Sequence, residues 1–153
     1  MYAILACMVG GTRHLFEQWQ YTIPISTSAS DFITQECKIS TGTIKRLSVY
    51  FPFGVEFLAR CRVLLGSSPL LPRSKAGYIT SNGTAIDTGE IVEPTKGNNP
   101  TLVWELWNLD DTYHHTLTLS CAWVSEEEAE VQKRLMRESN VYLKMMADSL
   151  LRL

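Results

Sequence analysis

The segment Tyr113–Trp123 sets Tyr113, His115, Leu117, Leu119, Cys121 and Trp123 in strict alternation with His114, Thr116, Thr118, Ser120 and Ala122. A period of two gives a strand one dry face and one wet face, so the segment needs a second layer to cover its apolar side. Similar runs precede it at Gln20–Ser26, Phe32–Ile39, Thr43–Phe51, Val55–Leu65, Tyr78–Thr80, Thr84–Val92 and Thr101–Trp107. About eight short strands, separated by frequent turn residues, predict an all-β, antiparallel β-sandwich, jelly-roll-like, over residues 20–124. Asn82-Gly83 is the strongest hairpin signal among its turns, and Pro52-Phe53-Gly54 reads as a turn between two paired strands.

At Ser125 the pattern changes. Ser125-Glu126-Glu127-Glu128 is a capping box, and neither Gly nor Pro interrupts the residues from there to Leu153. Residues 125–153 are therefore expected as a long C-terminal amphipathic helix of about 40 Å, and residues 1–19 as an N-terminal arm. Glu130 and Arg134 are spaced to pair at i,i+4. Val131, Leu135, Tyr142, Met146, Leu150 and Leu153 form an apolar stripe, and from Tyr142 onward apolar side chains occupy more than one side. One sandwich face cannot cover that surface, so the helix is expected to contact another subunit. Packing on its own sandwich and contact with a membrane through the termini are the weaker alternatives. Only Lys144 and Arg152 supply cations in that part of the helix, which counts against a membrane.

A chain of 153 residues, 45% hydrophobic and 20% charged, has the composition of an ordinary globular domain. Its net charge of −2 offers no electrostatic reason to expect nucleic acid as a specific partner. Cys7, Cys37, Cys61 and Cys121 are widely separated and show no CxxC pair. Buried free thiols in a reducing compartment are the expectation, with a disulfide or a metal site as alternatives. The apolar run after Met1 lacks a preceding Lys or Arg and is about half the length of a membrane span, so no signal peptide is expected.

Motifs for catalysis are absent. There is no GxSxG elbow, P-loop, dinucleotide glycine pattern or HExxH. Asp110, Asp111, His114 and His115 form the most suggestive cluster, but neighbours on a strand face opposite ways, so His114 and His115 do not converge. His115 reads as a hydrogen-bonded core histidine, and the two aspartates suit an Asx turn. No catalytic residue, cofactor or metal is assigned, and the chain is read as a non-enzyme.

Arg46, Arg60 and Arg62 stand out on polar faces. If Phe51 paired with Val55, Arg46 would oppose Arg60; either both side chains splay into water, or carboxylates of a neighbouring subunit meet the pair. Trp104 and Trp123 fall on apolar faces, whereas Trp107 shares its face with Val103 and Glu105 and is the aromatic expected to meet a partner.

The stretch Ile39–Trp123 resembles small virus- and phage-associated structural proteins built on a single β-sandwich. The likeness lies in Thr41-Gly42-Thr43-Ile44-Lys45-Arg46-Leu47-Ser48-Val49-Tyr50-Phe51-Pro52, in Leu71-Pro72 ahead of Gly77-Tyr78, and in Trp107-Asn108-Leu109-Asp110-Asp111-Thr112-Tyr113-His114-His115-Thr116. It covers a little over half the chain, and none of these segments is a catalytic signature. The resemblance implies a virion component, either capsid, decoration or minor structural protein, made in the host cytoplasm. Its partners would be other copies of itself and other structural proteins of the same particle. Two further hypotheses are a ligand- or carbohydrate-binding module using the loops Gly66–Ala76 and Glu93–Pro100, and an enzyme centred on Asp111 and His114.

Overall fold

The computed structural model describes the backbone of residues 5–9, 12–95 and 100–150, and side chains within 16–95, 100–128, 130–131 and 133–146. The strands in chain order are β1 (Leu5–Val9), β2 (Thr12–Ile23), β3 (Ile33–Lys38), β4 (Gly42–Tyr50) and β5 (Ala59–Leu65). They continue with β6 (Ser68–Leu71), β7 (Ala85–Asp87), β8 (Glu93–Pro94), β9 (Thr101–Asn108) and β10 (His115–Ser125), and α1 (Glu126–Leu150) follows directly.

Two antiparallel sheets stack face to face. One runs β1-β2-β10-β4-β7, with β8 also on β4, and the other runs β3-β9-β5-β6. The pairing is nested: β2 with β10, β3 with β9, β4 with β7 and β8, and β5 with β6. Such a ribbon, wound so that β10 also meets β4 and β9 also meets β5, is a single jelly roll. The sandwich and its C-terminal helix agree with the alternation and the capping box.

The alternation of β10 explains the core. Leu117, Leu119, Cys121 and Trp123 all point inward, against Leu102, Trp104 and Leu106 from β9 and Ala59, Cys61 and Val63 from β5. On β4 the apolar residues Ile44 and Leu47 are three apart, which alternation alone would send to opposite faces. A bulge resolves this: Ala122 pairs with Arg46 and Trp123 with Ile44, so Lys45 is an extra residue and both Ile44 and Leu47 are buried.

Four expectations are corrected. The strand expected from Gln20 begins at Thr12, a further strand, β1, lies within the expected arm, and Trp19, assigned to that arm, is buried in the core beside Ile23. The cause is β10, whose wet-face neighbours still need backbone partners, and β2 supplies them from Leu15 to Ile23. Residues Val55–Leu58 are a turn, not the start of β5. The chain there crosses from one sheet to the other, burying Phe51 and Val55 at the end of the core. Asn82-Gly83 likewise joins two sheets instead of closing a hairpin: Ile79 bridges Cys61 in one, while Ala85–Asp87 pairs with β4 in the other. Finally, Glu130 meets Lys133, and Arg134 lies near Glu138.

The root of the helix is built at Gly42. Its N–H donates to Thr95 Oγ1 at 2.7 Å, its carbonyl accepts from Thr95 N at 2.8 Å, and it pairs with Ser125. Ser125 Oγ caps α1 by accepting from Glu128 N at 3.3 Å. A Cβ at Gly42 would run into the Val124 carbonyl oxygen. Gly42→Ala should therefore cost about 1–3 kcal/mol in chemical denaturation, the usual range for overpacking. Unchanged stability would contradict the packing described here.

Candidate functional site

The arginines do not form the expected cluster. Because β4 and β5 belong to different sheets, Arg46 and Arg60 are not opposed. Arg46 on β4 reaches Asp87 on β7 at 2.5 Å, and this hydrogen bond lowers the Asp87 carboxyl below the usual range. Arg62 pairs with Glu105 across β5 and β9, donates to the Lys75 carbonyl at 3.1 Å and lies over the Phe32 ring. Arg60 is different. It faces Trp107 across the strands and sits 4.5 Å above the Tyr78 ring, with no carboxylate partner among the described residues. Tyr78 meets Trp107 edge to face at 5.7 Å. These two covers leave Trp107 only 6% exposed, so the expected open aromatic is enclosed although it lies on the outer face.

A cleft of about 580 Å³ opens at the end of the sandwich where β4 leads into β5 and β9 into β10. Phe53, Gly54, Glu56 and Leu58 line one side; Asp110, Thr112, Tyr113 and His115 line the other. Asn108, fully buried, holds the second loop: its Nδ2 donates to the Tyr113 carbonyl at 2.9 Å and its Oδ1 accepts from Asp110 N at 3.0 Å. Asp110 Oδ1 then accepts from Thr112 N and Tyr113 N, at 2.8 and 3.0 Å, as an Asx turn does. Its Oδ2 lies 2.9 Å from His115 Nε2, with both side chains nearly buried. The expected Asx turn and hydrogen-bonded core histidine are thus one unit.

The first loop is fixed from outside. Asn82 Oδ1 accepts from Gly54 N at 2.9 Å, Gly83 N donates to the Pro52 carbonyl at 3.2 Å, and the Phe53 ring covers Gly83. Gly83 has φ of +71°, and its missing Cβ leaves the space the ring occupies. Glu56 and Phe57 are both left-handed, with φ of 45° and 64°. Such backbone costs on the order of 1 kcal/mol per residue and marks loops whose shape is dictated by their surroundings. Asn108, Phe53 and Glu56 escaped sequence reasoning, since no local pattern shows that these two loops share an end of the sandwich.

A second cleft of about 570 Å³ lies at the opposite end, lined by Glu36, Leu65, Gly66, Ser68, Glu93, Pro94, Pro100, Thr101 and Val103. It includes parts of the loops expected to bind a ligand, but among the described residues no aromatic ring lines it. Asp111 and His114 do not converge with other ligands or bases. Asp111 accepts from Thr112 Oγ1, and His114 is exposed. Among the described residues, no three His, Cys, Asp or Glu side chains form a metal-binding group.

The stripe residues Val131, Leu135, Tyr142 and Met146 are exposed, as are Met136, Val141, Leu143 and Met145 beside them. The Leu150 side chain and Leu153 lie outside the described residues. Among described side chains of α1, only Glu128 is even half-buried, and the helix meets the sandwich chiefly near β2, β4 and β10. No described helix is long and apolar enough to cross a membrane. No protein-family model, curated protein or solved structure matches the chain.

Two outcomes are expected. The amide and imidazole contacts hold the Asp110 carboxyl below its usual range, so its stabilising effect is present above about pH 4 and is lost as pH falls through the folded value. Asp110→Asn should lower stability at pH 7 and flatten the acid limb of a denaturation-versus-pH curve; an unchanged limb contradicts the assignment. Burial pushes the Cys37 thiol, next to Glu17, and the Cys61 thiol up to about 12, and raises Cys121 as well. In the folded chain these three should resist iodoacetamide at pH 8, read by mass spectrometry, and label at the unfolded rate only in denaturant.

Proposed function

We propose that the chain is a non-enzymatic structural protein that self-assembles through α1, most simply as a component of a virion. The observation that carries this is a helix of 25 residues with a broad apolar surface and almost no contact with its own sandwich. Helices in proteins draw most of their stability from packing an apolar face, and among the described side chains of α1 no apolar residue is buried. Burial of each Leu, Met or Val is worth roughly 1.5–3 kcal/mol, so a second copy of α1 laid along the stripe supplies a large driving force. The rigid jelly roll would then act as the body and α1 as the connector.

The resemblance of Ile39–Trp123 to virus and phage structural proteins supports the virion setting, and jelly rolls are frequent in capsids. Arg60, stacked on Tyr78 without a carboxylate among the described residues, is the arginine that remains a candidate for a neighbour's acidic side chain. Arg46 and Arg62 already have theirs.

The test is light scattering after size exclusion on the full chain and on a triple variant, Leu135→Glu, Tyr142→Glu and Met146→Glu. All three side chains are exposed, so the fold should survive. The full chain is expected to form a discrete oligomer at micromolar concentration, and the variant to be a folded monomer with affinity reduced at least about a hundredfold. A full chain that stays monomeric at about 100 μM, a threshold corresponding to weak association, overturns the proposal.

A further inference from the structure

We propose that the cleft between the Phe53–Leu58 and Asp110–His115 loops is a carbohydrate site that takes a pyranose ring. The proposal does not rest on self-assembly. Three features of the cleft point the same way.

The rim is aromatic and fixed in place. Phe53 is 84% exposed and Tyr113 66% exposed, yet neither belongs to a mobile tip. Phe53 is carried by a turn latched to Asn82 and Gly83, and Tyr113 by hydrogen bonds at both its N–H and its carbonyl. The two loops thus hold two largely exposed aromatic rings at the cleft. Such rings fit the flat C–H face of a sugar, which stacks on an aromatic side chain while its hydroxyls stay polar.

The lining also carries polar groups, and its carboxylates are Glu56 and Asp110. Glu56 has a carboxylate with no hydrogen bond or ion pair among the described residues, and it stands on left-handed backbone that aims the loop. Asp110 spends both oxygens on Thr112, Tyr113 and His115, which leaves it a rigid support for the imidazole. A carboxylate that only accepts and an imidazole that can donate or accept are complementary to hydroxyls, which do both.

The lining excludes other ligand classes. Among the described residues no Lys or Arg lines the cleft, so phosphate, sulfate or carboxylate ligands would meet Glu56 and Asp110 with no compensating cation there. A quaternary ammonium favours a closed aromatic cage, whereas this cleft is wide and open, with about 580 Å³ between two loops. That volume lies within the range of small-molecule sites. The opposite cleft, with Glu36 and Glu93 but no ring, lacks the stacking surface.

The test is a ¹⁵N-resolved NMR titration of the full chain with methyl α-glucoside, methyl β-galactoside and methyl N-acetyl-β-glucosaminide, each to about 50 mM, and with choline. At least one glycoside is expected to bind with a Kd in the millimolar range and to shift resonances of residues 53–58 and 110–115. Tyr113→Ala and Phe53→Ala should each weaken binding about tenfold, and Glu56→Gln should weaken it while leaving the rest of the spectrum unchanged. Unchanged melting temperatures in these exposed-site variants would show that the loss is not unfolding. No shift with any glycoside, shifts confined to other loops, or binding of choline alone would overturn the proposal.

Discussion

The structure depends on one strand that is paired on both sides. β10 bonds β2 along one edge and β4 along the other, and its inward residues Leu117, Leu119, Cys121 and Trp123 sit at the middle of the core. This position makes β10 the axis on which the nested ribbon winds. It also fixes where the helix starts, because Ser125 is both the last residue of β10, paired with Gly42, and the cap of α1. A strand held by two ladders is a stiff mount, and α1 leaves it without a hinge of Gly or Pro.

The same winding creates the cleft. A jelly roll gathers the connections between its sheets at its two ends, so the β4–β5 and β9–β10 loops become neighbours although they are far apart in sequence. Buried Asn108 and the Asp110–His115 pair then act as internal braces that set one wall. Their polar atoms are paired with one another and with backbone, which is why burial of this group is tolerated. The chain thus divides its labour by geometry, with a rigid body, an open end bearing aromatic rings, and a helix whose described apolar side chains are exposed.

What was legible in the sequence is what local physics writes there. The alternation of Tyr113–Trp123 needs only its own residues to be read, and so does the Ser125–Glu128 cap. The Asx turn at Asp110 and the inward His115 follow from the same short range. What was not legible depended on partners distant in sequence. Arg46 and Arg62 look unpaired until Asp87 and Glu105 are brought beside them, and Trp107 looks open until Tyr78 and Arg60 cover it. Asn82-Gly83 has the chemistry of a tight turn and lies in a bend, but whether such a bend closes a hairpin or crosses between sheets is decided by the strands on either side. The bulge at Lys45 is a further case, set by the demand that Ile44 and Leu47 share a core.

The central claim is that α1 is uncovered in a single chain and covered by another copy. Hydrogen exchange of the intact chain, followed by mass spectrometry across a range of protein concentrations, tests it most directly. The account predicts that amides in 131–146 exchange rapidly at nanomolar concentration and become strongly protected as concentration rises, while β10 stays protected throughout. Protection of α1 that is high and independent of concentration would contradict it, as would rapid exchange that persists at every concentration.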